Sequence, residues 1–226
     1  MFSPSTIGRM SMHVAVVDIG SPEKKNLGWA IEGPSLSDSG GDVDRFIERS
    51  GEVMRTGPLA LGFEAPMYVP MRDLPEYLTR GRSGEANRPF SAGAGCGALV
   101  TGLVVVPYIL AGLLKACPFA TASLDWTTLP TRPGEVFLFE AFVSGVGRKG
   151  SVTTVDHVAD ARAALHRFQA KAAGPAPMTS DLGDSVCLNL LGAALLRTGW
   201  PVGVGVLSQP CLVVRAQPAL SGAVSA

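Results

Sequence analysis

The segment EVFLFEAFVSG, Glu135 to Gly145, constrains the fold more than any other part of the chain. Its apolar residues fall on both alternations of a period-2 pattern, so a strand built from it needs cover on both faces. Two shorter runs make the same demand, Val14 to Val17 in HVAVVD and Leu59 to Phe63 in LALGFE. The segment LGWAIEG follows the first run across a short turn and reads as its hairpin partner. Between the strands lie stretches with helical spacing. DVDRFIERSGEVM sets Val43, Phe46, Ile47 and Val53 on one side, with Asp42 as an N-terminal cap. TVDHVADARAALHRFQAKAA does the same with Val158, Ala161, Leu165 and Phe168, and stops before GPAP. SDLGDSVCLNLLGAALLRTG reads as a last helix, with Ser180 or Asp181 as cap, Asp184 in its first turn and Gly199 as its stop. Strands interleaved with helices give an α/β fold in which helices flank a mixed sheet. At 226 residues the chain is long enough for one such domain, with a core over about residues 13–199 and a C-terminal extension over 200–226.

Formal net charge is zero, so no global field draws the chain to nucleic acid or to an anionic membrane, and any anion contact has to be local. The N-terminal MFSPSTIGRMSM lacks the apolar run of a secretory signal, and a cytoplasmic protein with no membrane partner is the expectation. Gly97 to Leu114 carries no charge and matches the shortest bilayer span in length. Pro107 and the internal glycines favour a core helix, or a buried face between two copies of the chain. The four cysteines, Cys96, Cys117, Cys187 and Cys211, show no CxxC pairing and no zinc spacing with the histidines, so they read as buried thiols.

Carboxylates punctuate the apolar runs. Asp18 ends the first strand and Glu64 ends a later one, Glu140 interrupts the most apolar strand, and Asp184 opens the last helix. In sheets of this kind ligands gather at the carboxyl ends of the strands. Carboxylates crowded there need a proton or a cation, and oxygen donors without thiolate company favour Mg²⁺ or Mn²⁺. Each residue also has a plainer reading: Asp18 as a turn former, Glu64 as the start of an exposed loop, Asp184 as a complement to the helix dipole, and Glu140 as the partner of a basic residue, Arg132, Arg148 or Lys149.

An Asp closing the first strand of a hairpin, a Glu closing a later strand and an Asp on the last helix resemble the RNase H-like superfamily, including the RuvC-type resolvases. The segments VAVVDIG…GWAI, LGFEAP, VFLFEAF and DLGDSVCLNLLGAAL also resemble a group of RNase H-like proteins known only as a domain of unknown function. The resemblance covers roughly residues 13–199. It implies an RNase H-like mixed sheet flanked by helices, with an inserted Arg-rich loop and the apolar helix as additions. It also implies a metal site of Asp18, Glu64 and Asp184, with Glu140 as a fourth member, and a nuclease-type hydrolase that uses Mg²⁺ or Mn²⁺. GPSLSDSGG, where a third strand of the opening meander would fall, reads as a loop.

The loop MRDLPEYLTRGRSGEANRPF supplies Arg72, Arg80, Arg82 and Arg88 with Tyr77 and Phe90 nearby, though Asp73, Glu76 and Glu85 offset part of the charge. Guanidinium forks match phosphate oxygens and aromatic rings stack on bases, so Arg80, Arg82 and Arg88 are the expected phosphate contacts of a nucleic acid or nucleotide. Two other functions fit the same residues. The hairpin DIGSPEKKNLGWAI also resembles the first phosphate-binding hairpin of the sugar kinase, actin and heat-shock ATPase superfamily, which implies a nucleotide-dependent phosphotransferase. A non-catalytic binding or scaffold domain with structural carboxylates is the third reading.

Overall fold

The structure, a computed structural model, describes residues 12–85, 89–143, 156–184 and 186–216. The chain opens with β1 (His13–Asp18), β2 (Gly28–Gly33) and β3 (Leu36–Gly40), followed by α1 (Val43–Thr56), β4 (Leu59–Glu64) and the short β5 (Tyr68–Pro70). The long helix α2 (Gly93–Ala116) leads to β6 (Thr121–Ser123), β7 (Glu135–Val143) and α3 (His157–Ala173). The chain then runs through β8 (Cys187–Asn189), α4 (Leu190–Arg197) and β9 (Val213–Ala216).

β1 to β3 form an antiparallel meander, and β1, β4 and β7 run parallel, giving the order β3-β2-β1-β4-β7. Two short parallel strands share the far edge of β7: β6 pairs with its first residues and β9 with its last. β9 thus takes part of the expected C-terminal extension into the main sheet. β5 and β8 form a separate antiparallel pair. β3 answers the expectation of a loop at GPSLSDSGG. Its sequence LSDSG is polar because it is the edge of the meander, and Asp38 holds it to α1 through Arg45 and Arg49.

Side-chain alternation sorts the core into two layers. Ala15, Val17, Leu61, Phe63 and Leu138 point to the face covered by α1, α2 and α4, whereas Val14, Val16, Ala60, Phe137 and Phe139 point to the face covered by α3. The second layer is built around aromatic rings, with Phe139 and Phe168 stacked at a centroid distance of 4.3 Å. Gly62 makes room for them, since a Cβ there would stand 2.4 Å from the Phe139 ring.

α1 begins as expected, with the Asp42 carboxylate accepting from the Arg45 amide. The last helix begins later than expected. Asn189, its side chain bonded to the Gly192 amide, is the cap, because Cys187–Asn189 is held extended against β5. Asp184 therefore lies before the helix and not in its first turn. α2 is the expected apolar helix, but only one side of it is core. Val105, Val106, Ile109, Leu110 and Leu113 are buried, while Val100, Leu103, Val104 and Tyr108 are exposed, since the helix packs on the outside of a sheet with nothing beyond it among the described residues. Among those residues it is the one helix long and apolar enough to cross a membrane.

Candidate functional site

Because β1, β4 and β7 are parallel, their carboxyl ends open on one edge of the sheet, and a cleft of about 320 Å³ lies there. Asp18 and Glu64 are register partners on neighbouring strands. Both have the parity of Val14, Val16 and Ala60, so both side chains project to the α3 face. The first turn of α3 faces them. Asp156 caps the helix by accepting from the Ala159 amide, His157 Nδ1 stands 2.6 Å from Asp18 Oδ2, and Asp160 lines the same cleft. Glycine permits that approach. A Cβ on Gly28, the partner of Asp18 on β2, would lie 2.4 Å from the His157 carbonyl carbon and 2.5 Å from the Val158 nitrogen. The turn leaving β1 is equally tight, for a Cβ on Gly20 would collide with the Asn26 carbonyl.

Three carboxylates and one imidazole thus line the cleft, against Ala98, Ala141 and Val143. Asp160, 7 % exposed, stands in the first turn of α3, at the amide end of the helix dipole. The donors suit a hard cation. Among the described residues, however, no group of three or more His, Cys, Asp and Glu side chains forms a ready-made metal cage.

The structure does not bring Glu140 and Asp184 to this cleft. Glu140 has the parity of Val136 and Leu138 and points to the opposite face of the sheet. There it is fully buried and meets Arg82 in a fork, Nη1 to Oε2 at 2.7 Å and Nη2 to Oε1 at 2.8 Å, while the Met67 amide donates to Oε2. Burial pushes the Glu140 carboxyl up from its ordinary value, against the pull of the Arg82 guanidinium and the Met67 amide. Asp184 pairs with Arg72 Nη1 at 2.9 Å, accepts from the Ser83 amide and receives the Tyr68 hydroxyl. Burial raises the Tyr68 phenol far above its usual range, so it stays protonated as that donor. The expected four-carboxylate site is therefore divided by the sheet, with Asp18 and Glu64 on one face and two arginine-bound carboxylates on the other.

The expected phosphate contacts are divided as well. Arg82 is 3 % exposed, saturated by Glu140 and Glu85, and lies over the Tyr68 ring, so it braces the loop and does not meet phosphate. Its guanidinium is held more firmly protonated than usual by the two carboxylates. Arg80 is exposed, 5.4 Å from the Tyr77 ring centroid. Arg88 lies outside the described residues.

His157 and Asp160 are the site members that sequence reasoning missed. Their signal was an Asp cap followed by a His and an Asp three residues apart on the sheet-facing side of the helix. The cysteines are free thiols, with Cys117, Cys187 and Cys211 buried and Cys96 partly so; burial pushes the Cys211 thiol well above its usual range. No family model matches the chain, and no curated protein or solved structure matches it.

Proposed function

We propose that this chain is an RNase H-like, divalent-metal-dependent phosphodiester hydrolase acting on nucleic acid, with Asp18 and Glu64 as the primary ion-binding pair. The observation that carries the reading is their placement as register partners at the carboxyl ends of adjacent parallel strands, on the face where the first turn of α3 supplies His157 and Asp160. The strand order, an antiparallel meander followed by parallel strands, supports the same reading. Glu140 and Asp184 have no part in it.

Mg²⁺ commonly rests on one or two carboxylates and completes its shell with water and substrate phosphate, so two in-register carboxylates fit its donor chemistry without a full protein cage. A bound ion would polarise the phosphoryl oxygens and lower the pKa of a coordinated water. The protein's own part is position and charge. β1 and β4 fix the spacing of the Asp18 and Glu64 carboxylates through a backbone ladder, which is stiffer than any loop. His157, joined to Asp18 through Nδ1, holds that carboxylate in one orientation and can share a proton with it. Asp160 adds a third negative charge at the helix terminus.

The test is cleavage of labelled single-stranded, duplex and branched DNA and RNA in Mg²⁺, in Mn²⁺ and in EDTA, comparing the native chain with Asp18→Asn and Asp160→Asn. Metal-dependent cleavage that falls at least about a hundredfold in both variants is expected, the scale of losing a group that acts at the reacting centre. Absence of cleavage on every substrate, together with no metal-induced rise in Tm, overturns the reading.

A further inference from the structure

Away from the carboxylates, a cleft of about 400 Å³ is lined by Arg72, Tyr77, Arg80 and the loop from Gly81 to Gly84. We infer that this cleft holds a backbone phosphate of a single nucleic-acid strand, with Tyr77 against a neighbouring base. The inference rests on the hydrolase reading for its substrate class and on the chemistry of the cleft for its location.

The floor is rigid. Arg82 fixes the loop by gripping Glu140 and Glu85, and the Arg82 amide itself donates to Glu85 Oε2 at 2.8 Å. With its charge matched by two carboxylates, Arg82 supplies shape and not attraction. The attraction comes from its neighbours. Arg72 directs Nη1 to Asp184 and Nη2 to the Gly81 carbonyl, but its Nε is buried with no hydrogen-bond partner among the described residues. Arg72, a quarter of its side chain exposed, also lines the cleft, where a guanidinium recognises an anionic oxygen. Arg215 fastens the far end of the loop by bonding the Gly84 carbonyl through Nη2. Arg80 makes no ion pair among the described residues, so its charge is offered to whatever enters. Gly81 and Gly84 present no side chain, which lets a phosphate approach the backbone.

The ligand chemistry follows from the combination. Arginine donors recognise phosphate oxygens, and an exposed ring beside them recognises an unpaired base, which is how non-specific single-strand sites are built. The two clefts are also joined through the chain. Glu64, Ala65 and Pro66 line the carboxylate cleft, and the next residue, Met67, is tied to Glu140 and through it to Arg82. The phosphate cleft is therefore braced by the same residues that follow the carboxylate cleft in the chain.

The test measures binding without catalysis: fluorescence anisotropy of a labelled oligothymidylate of about 20 nucleotides in EDTA across a salt series. Arg80→Ala is expected to raise Kd about fivefold and to reduce the log–log salt slope by about 0.7, the loss of one single-strand phosphate contact. Arg72→Lys keeps the charge but removes the guanidinium fork, so it is expected to weaken binding with little change in slope. Arg80 is exposed, so its variant keeps the native Tm and reports on binding even where Arg72→Lys perturbs the fold. Native affinity and native slope in Arg80→Ala overturn the inference. So does a chain stabilised by inorganic phosphate that does not bind the oligonucleotide, because the site then takes a free anion. Because the binding assay contains no metal, failure of the hydrolase reading alone leaves this binding intact and appears only as uncut substrate in the cleavage assay.

Discussion

His157 and Asp18 meet across the carboxylate cleft, imidazole Nδ1 to carboxylate Oδ2 at 2.6 Å, although 139 residues separate them in the chain. The contact exists because α3 rests directly on the backbone of β2 at Gly28, so the position of the helix sets the position of the imidazole.

Gly28→Ala tests that dependence. The new methyl group meets backbone of α3 and not a flexible side chain, so the helix has to move. Overpacking of this kind costs about 1–3 kcal/mol, and urea unfolding of the variant is expected to show it. Cleavage is expected to fall by about a hundredfold, the effect of a displacement near 1 Å at a reacting centre. Unchanged stability and unchanged cleavage would mean that α3 is not held by this contact.

Glu64→Gln separates ion binding from folding. Neutralising one of two facing carboxylates relieves their repulsion, so the metal-free Tm is expected to stay within about 3 °C of native, roughly 1 kcal/mol in a chain of this size. The rise in Tm on adding Mg²⁺ or Mn²⁺ is expected to disappear. A rise equal to that of the native chain would place the ion elsewhere.

The Arg82–Glu140 fork is the opposite kind of charge pair. Arg82→Met strands the Glu140 and Glu85 carboxylates in the core, and removing the partner of a buried charge costs about 3–5 kcal/mol. Adding Glu140→Leu and Glu85→Gln to Arg82→Met removes both stranded charges and is expected to recover much of the loss. A triple variant less stable than the single one would show that these carboxylates have a further essential partner beyond the Met67 amide.

His13 gives the fold a pH dependence of its own. Burial beside Gly33 and Gly57 lowers its pKa from the ordinary 6.5, so the native state favours the neutral imidazole. At pH values above 6.5 both states are neutral at this residue and it contributes no dependence. As pH falls below 6.5 the unfolded chain takes up the proton first, and stability is lost until the depressed native pKa is passed. Denaturant unfolding from pH 7.5 downward should therefore show a decline that His13→Gln reduces. Identical profiles would assign the decline to other groups.

Much of the sheet was legible because its strands are apolar on both alternations and its helices have capped, periodic faces. β1, β4, β7, α1 and α3 fall where those patterns place them. β3 was not legible, because an edge strand held by salt bridges to Asp38 has no apolar pattern to display. In the site, Asp18 and Glu64 could be read as strand-terminal, but Glu140 could not be assigned a face. The strand around it is apolar on both sides, and its parity emerges only from pairing with β4. Asp184 was misplaced because a three-residue strand, fixed by its partner β5, intervenes before α4. His157 and Asp160 lay unnoticed inside a segment whose helical pattern was itself correct.

Glu140 also protects the sheet against misalignment. A slip of β7 by one position would turn this carboxylate into the aromatic layer beneath α3, and would turn the Phe139 ring toward Arg82 and Glu85. Either change forfeits a buried charge match, so a single acidic residue within a nearly uniform apolar strand acts as a locking pin for its alignment. The residue that looked like a ligand is what lets so featureless a strand assemble in only one way.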